Sequence, residues 1–214
     1  PPPPANPLPW EDPAYPRLEA LYETAKLVLL YPRQAFSRMS TTVSLVKPIL
    51  FAVIMGWVGI LVGQIYQWAF RSTLASLMPW MFQRQDFIFS TITSVIVVIT
   101  APVWVLLGLG LATLVLHLFL LLYGGARGGL EVSLRTLAYT SATHLFHIIP
   151  VLGGLVGWLW WVVVASLGLA EAHQTSAGKA FAAVLTPLVL CCVCMLVVVF
   201  LAGAAIFGAF QSLR

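Results

Sequence analysis

The chain has 214 residues, of which 60% are hydrophobic and only 8% charged, with a mean hydropathy of +0.96 and a net charge of +4. A soluble domain carries about 25% charged residues, so this chain cannot cover a water-facing surface and reads as all-α, an integral membrane helical bundle. Its basic residues are too dispersed for a nucleic-acid interface and point instead to membrane orientation and anionic lipid.

Residues 1–16 hold Pro1 to Pro4, Pro7, Pro9, Pro13 and Pro16 and read as an extended, poorly packed linker to something upstream. No sustained apolar run marks a signal peptide here. Residues 17–47 form an amphipathic interfacial region. Leu18, Leu21, Tyr22, Ala25, Val28 and Leu29 recur at helical spacing, opposite Arg17, Glu19, Glu23 and Lys26. Tyr31-Pro32 stops that helix, and Pro32 starts a second one carrying Phe36 and Met39. Such helices either lie in the membrane interface or pack on the protein's own inner side.

Residues 48–214 are expected to be a domain of five transmembrane helices. The first, 49–70, is uncharged, opened by Pro48 and closed by Arg71; about 20 apolar residues cross a bilayer. Leu77-Met78-Pro79-Trp80-Met81-Phe82 suits an aromatic interfacial segment. The uncharged run 87–123 is long for one span and short for two, with Pro102 placed to kink it. Positive charge arbitrates. Read as one span, it puts eight basic residues inside (Arg17, Lys26, Arg33, Arg38, Lys47, Arg127, Arg135, Lys179) and three outside (Arg71, Arg84, Arg214); read as two, the division is six against five. One kinked span is favoured. The third, 132–149, carries Arg135, Tyr139, His144 and His147, so it cannot face lipid all round. Pro150 leaves a short outer turn before the fourth, 151–170, and the fifth runs over 181–210. The N-terminus is then cytoplasmic and the C-terminus outside.

The motif His117-Leu-Phe-Leu-Leu-Leu-Tyr-Gly124-Gly125 leads into Leu134-Arg135-Thr-Leu-Ala-Tyr139, then Pro150-Val-Leu-Gly153, Trp160, Gly168-Leu-Ala-Glu171-Ala-His173 and Lys179-Ala180. With Pro32-Arg-Gln-Ala-Phe36-Ser-Arg-Met39 ahead of the first span, the chain resembles the Ypt-interacting-protein (Yip) family of polytopic membrane proteins, in its bacterial branch. The resemblance implies five spans, a cytoplasmic N-terminus and a bacterial cytoplasmic membrane. It also implies that a small zinc-binding module can precede the linker. Eukaryotic relatives bind Rab-type GTPases in membrane traffic; this chain lacks their Asp-Leu-Tyr-Gly-Pro motif, so GTPase binding is not carried over.

Polar groups inside a membrane invite functional readings. His117 and Tyr139 lie at matching depth and are expected to hydrogen-bond each other, or to form a step in a proton or substrate path. His144 and His147 share one helical face, level with Cys194. The spacing of Cys191, Cys192 and Cys194 is unlike that of a metal site, so no metal or other cofactor is expected. Gly124, Gly125, Gly128 and Gly129 around Arg127 make either a tight loop or a backbone nest for a lipid phosphate. Gly59-x-x-x-Gly63 and Gly153-x-x-x-Gly157 suit close helix packing within the monomer. At the inner ends of the third to fifth spans lie Arg127, Glu131, Arg135, Glu171, His173 and Lys179. An Arg135–Glu171 ion pair is expected there, with a lipid phosphate as the rival partner of Arg135. No nucleophile–base pair has recognisable spacing, so no enzyme is expected. Two functions stay open. One is a membrane-organising or adaptor protein working through its cytoplasmic face. The other is a transporter, channel or lipid-moving protein with a polar intramembrane groove lined by His117, Arg135, Tyr139, His144 and His147. Partners would be membrane lipids, with other membrane proteins or a second copy of the chain as further candidates.

Overall fold

The computed structural model describes residues 6–41, 44–78, 80 and 84–212. The described residues fold as helices: α1 (Arg17–Leu30), α2 (Pro32–Ser37), α3 (Val46–Leu77), α4 (Arg84–Leu122), α5 (Gly129–Thr140), a 3-10 segment (Ser141–Ile148), α6 (Gly153–Ala172) and α7 (Ala177–Ser212). Four of these, within α3, α4, α6 and α7, are long and apolar enough to cross a membrane. The run containing Pro102 is one helix, α4. Arg71 does not close the first long helix, which continues to Leu77. A single charge near the end of an apolar helix does not interrupt its backbone hydrogen bonds, whereas the Met78-Pro79 step disfavours the helical conformation. Parts of the opening prolines and of the aromatic stretch after Leu77 lie outside the described residues.

Part of the opening segment differs from the extended, poorly packed linker expected of it. Leu8 is fully buried and Glu11 nearly so. Residues 8–12 form a turn in which the Glu11 and Asp12 amides both donate to the Leu8 carbonyl. Trp10 stacks edge-on against Phe51 of α3. Proline density lowers the entropy of such a turn as readily as it extends a linker. The helices α1 and α2 then make a hairpin alongside α6. The Trp160 indole donates to the Leu29 carbonyl at 3.0 Å near the tip of the hairpin, and Phe36 lies over Gly168 further down. Ala20, Thr24 and Val28 face inward, while Leu18 and Tyr22 are exposed.

The expected third span is a composite of α5 and the 3-10 segment. The switch to tighter winding begins at Ser141. Ser141 donates to the Ala138 carbonyl and Thr143 to that of Thr140, both three residues back, the repeat of a 3-10 turn. The thin segment is gripped by glycines. A Cβ on Gly59 of α3 would strike His144, one on Gly157 of α6 would crowd the Thr143 carbonyl, and one on Gly153 would collide with the Phe146 carbonyl oxygen. Gly63, the other half of its pair, has open space around it. Tyr66 of α3 donates to the Ile148 carbonyl at 2.6 Å, pinning the end of the segment.

Two buried clusters flank α5. One gathers Leu8, Val28, Phe36, Phe51, Tyr139 and Val164; the other gathers Leu120, Leu137, Ala165, Leu169, Ala183 and Val184. Outward-facing side chains of α4 and α7, such as Ile99, Leu107 and Phe200, are exposed and apolar, as lipid contact requires.

Gly153→Ala is expected to destabilise the fold by about 1–3 kcal/mol, the cost of overpacking against backbone. Gly154→Ala, with nothing within 4 Å of its added methyl, is expected to be neutral or slightly stabilising. Thermal unfolding of the two variants in detergent checks this; equal effects would contradict the grip.

Candidate functional site

The polar residues of α5 fall on two faces. Glu131, Arg135 and Tyr139 are spaced i, i+4, i+8 and share a stripe, while Ser133 lies about 200° round the helix from Arg135. The first stripe turns towards the N-terminal segment. Tyr139 is fully buried and donates its hydroxyl to Glu11 Oε1 at 2.8 Å. Glu11 Oε2 accepts the Ser40 amide at 2.9 Å. Arg135, 1% exposed, gives Nη2 to Glu131 Oε1 at 2.6 Å and Nε to the same oxygen at 3.2 Å. Lys47 Nζ holds the Glu11 carbonyl at 2.8 Å. Burial raises the Glu11 pKa above its ordinary value, opposed by the Ser40 and Tyr139 hydrogen bonds and the charges of Arg135 and Lys47.

The second face carries a chain of hydrogen bonds. The Gly128 amide donates to His173 Nδ1 at 3.0 Å. A backbone N–H can only donate, so the His173 proton sits on Nε2 and points to Ser133 Oγ at 2.9 Å. The Ser133 hydroxyl is then free to donate to His117 Nδ1 at 2.8 Å. His173 is 1% exposed; burial, then the neighbouring His117, lowers its pKa to about 4. Two cations close the loops 123–128 and 173–176. Arg127 Nη1 donates to the Gln174 carbonyl at 3.2 Å, and Lys179 Nζ to the Gly124 carbonyl at 3.3 Å. The chain turns at Gly124 with φ +63° and at Gly129 with φ +80°, conformations that a side chain disfavours.

Two expected contacts are replaced. Tyr139 bonds Glu11, not His117, because His117 meets the Ser133 face of α5 and Tyr139 lies on the other. Arg135 pairs with Glu131, not Glu171, for a related reason: the end of α6 reaches α5 through His173 and Ser133, two residues from Arg135 and round the helix from it. Glu171 contributes its backbone carbonyl to Gln174. The glycine loop directs the Gly128 amide at His173 rather than at an anion.

His144 and His147 stack at 5.5 Å between centroids, with His147 Nδ1 at 2.9 Å from the His144 carbonyl. They line a cavity of about 480 Å³ with Trp158, Trp161 and Leu188, and His144 and Trp161 also border one of about 310 Å³ against α3 and α4. Neither cavity is lined by His117, Arg135 or Tyr139. The five residues expected to line one groove are therefore divided among three places. Cys191, Cys192 and Cys194 are exposed on α7, and no group of three potential metal ligands is found among the described residues. Sequence reasoning missed Glu11, Ser133 and Ser40. An acidic pair, Glu11-Asp12, in a proline-rich stretch, and a serine one turn before Leu137 on a polar helix, were the only signals available.

The family model described as the Yip1 domain matches residues 26–208. No curated protein and no solved structure matches the chain.

Glu11→Ala is expected to cost about 1–3 kcal/mol, since it leaves the buried Tyr139 hydroxyl and Ser40 amide without their acceptor. Tyr139→Phe should cost less, and the double variant no more than Glu11→Ala alone; additive losses of thermal stability would rule out the bond. Acidification tests the other face. The folded His173 pKa is depressed, so the neutral form is favoured in the fold. Its stabilisation is complete above about 6.5 and is lost as pH falls from there towards 4. His173→Asn, whose amide oxygen can take the Gly128 N–H, should flatten the fall of Tm across that window. An unchanged pH profile would show that His173 does not titrate there.

Proposed function

The chain belongs to the Yip1-domain family and is a multi-pass membrane protein, and from that premise we propose a non-enzymatic membrane-organising or adaptor role exercised through its cytoplasmic face. The observation that carries this reading is an asymmetry along the bundle. Towards one end, the Leu8–Glu11 turn, α5, the end of α6 and the loops 123–128 and 173–176 are joined by side-chain hydrogen bonds, the turn through Tyr139 near the end of α5 and through Lys47 of α3, and α6 through Ser133 near the start of α5. At the other, α3, α4 and α7 extend as apolar helices with exposed side chains. A rigid polar platform at one membrane surface suits docking and organisation better than passage of a solute.

In this proposal the platform is cytoplasmic, the C-terminus is outside, and the membrane is a bacterial cytoplasmic membrane. The branch assignment rests on the motifs around Phe36, Gly124 and Glu171. The fifth passage is α5 with the 3-10 segment. Twelve α-helical and eight 3-10 residues rise about 34 Å, enough for a hydrocarbon core of about 30 Å. This passage need not be apolar, because α3, α4 and α6 surround it. Membrane lipids and other membrane proteins, or a second copy of the chain, are the partners proposed; nucleic acid and GTPases are not.

Single cysteines at positions 127 and 151, in a chain with Cys191, Cys192 and Cys194 replaced, locate the two ends. A membrane-impermeant maleimide should label position 151 in intact cells and position 127 only after the membrane is opened. Label at 127 from outside would overturn the orientation, and a silent 151 would overturn the fifth passage. Solute or lipid flux through liposomes carrying the purified chain would overturn the adaptor reading.

A further inference from the structure

Between α1 and the amino end of α3 lies a cleft of about 380 Å³. Its walls include Trp10, Asp12, Tyr15, Arg17, Lys47 and Leu50. The cleft is fixed from beneath: Trp10 Nε1 donates to the Lys47 carbonyl at 2.7 Å, and Lys47 Nζ to the Glu11 carbonyl at 2.8 Å. An ammonium has three N–H groups, so Lys47 keeps donors for a ligand. Arg17 has no hydrogen-bond or ion-pair partner among the described residues. Asp12, the acidic member, turns one oxygen onto the Ala14 amide at 2.9 Å. The cleft therefore presents two cations, one carboxylate and two aromatic rings, with a net positive charge.

It also opens onto lipid-facing surface. Val46 is 67% and Leu50 47% exposed, and Trp57 and Leu61 are exposed further along α3. These four fall within about 60° of one another round the helix. A cationic pocket with aromatic walls at the start of an apolar helical stripe matches an amphiphile in both halves. A guanidinium binds phosphate oxygens in pairs, Trp and Tyr favour the headgroup level, and the stripe offers an acyl chain a continuous track.

We infer that this cleft binds the phosphate headgroup of an anionic phospholipid, its acyl chain lying along α3 from Val46 to Leu61. The inference goes beyond the adaptor role and does not depend on it, since Arg17 takes no part in the platform bonds.

The test uses the full chain in detergent with dioleoylphosphatidylglycerol, dioleoylphosphatidylcholine or inorganic phosphate added, reading thermal stability. Phosphatidylglycerol should raise the Tm of the unaltered chain more than phosphatidylcholine does. Arg17→Gln should need roughly tenfold more of it for the same rise, the loss of a charge-assisted contact. Arg33→Gln, an exposed arginine on α2, should respond like the unaltered chain. Lys47→Gln should also weaken the response but will lower the starting Tm through its Glu11 contact, so Arg17→Gln is decisive. An equal response of Arg17→Gln and Arg33→Gln overturns the site. Equal stabilisation by phosphatidylcholine overturns its charge selectivity, and equal stabilisation by inorganic phosphate overturns the lipid as its occupant.

Discussion

A polar helix enclosed by apolar ones must find partners for its buried polar side chains within the protein, because lipid offers none. α5 imposes this constraint on the molecule. Arg135, Tyr139, Ser133 and Thr136 are all buried, and each is answered from a different direction. Thr136 bonds within its own helix. Arg135 bonds one turn back, to Glu131. Ser133 is met by α4 and by the residue that ends α6. Tyr139 is met by Glu11, 128 residues away in the chain. The N-terminal turn is therefore an integral part of the bundle, since it carries the acceptor that Tyr139 uses.

Beyond α5 the chain tightens into the 3-10 segment. Ser141 and Thr143 give their hydroxyls to carbonyls three residues back along it, and side chains at the facing glycines would clash with it. Glycines on α3 and α6 bring two backbones against it instead. Close backbone approach through small residues replaces the hydrophobic effect as the source of packing inside a membrane. The sharp turn that follows puts Val151 at φ 64° and 97% exposed, a strained conformation for a β-branched residue.

These features divide the molecule by polarity and by burial. Buried hydrogen bonds between α5, the N-terminal turn and the loop before α7 hold one end in a single arrangement. Beyond the 3-10 segment, α7 buries few side chains within the chain. Such a helix takes its environment from lipid or from a partner. The cleft beside α1 adjoins the N-terminal turn, through Trp10 and Lys47.

Much of this was legible in the sequence. Apolar runs without charge specify helices long enough to cross a membrane, whatever their partners, because backbone groups in lipid have no alternative to helical bonding. The stop at Tyr31-Pro32 and the single helix through Pro102 follow from local chemistry of the same kind. Pairing does not. Which of Glu131, Glu171 and Glu11 meets Arg135 or Tyr139 depends on the rotation of α5 about its axis and on where a proline-rich turn comes to rest. Those are set by the packing of whole helices against one another. Residue spacing determines which side chains share a face of one helix; only the assembled bundle determines what that face meets.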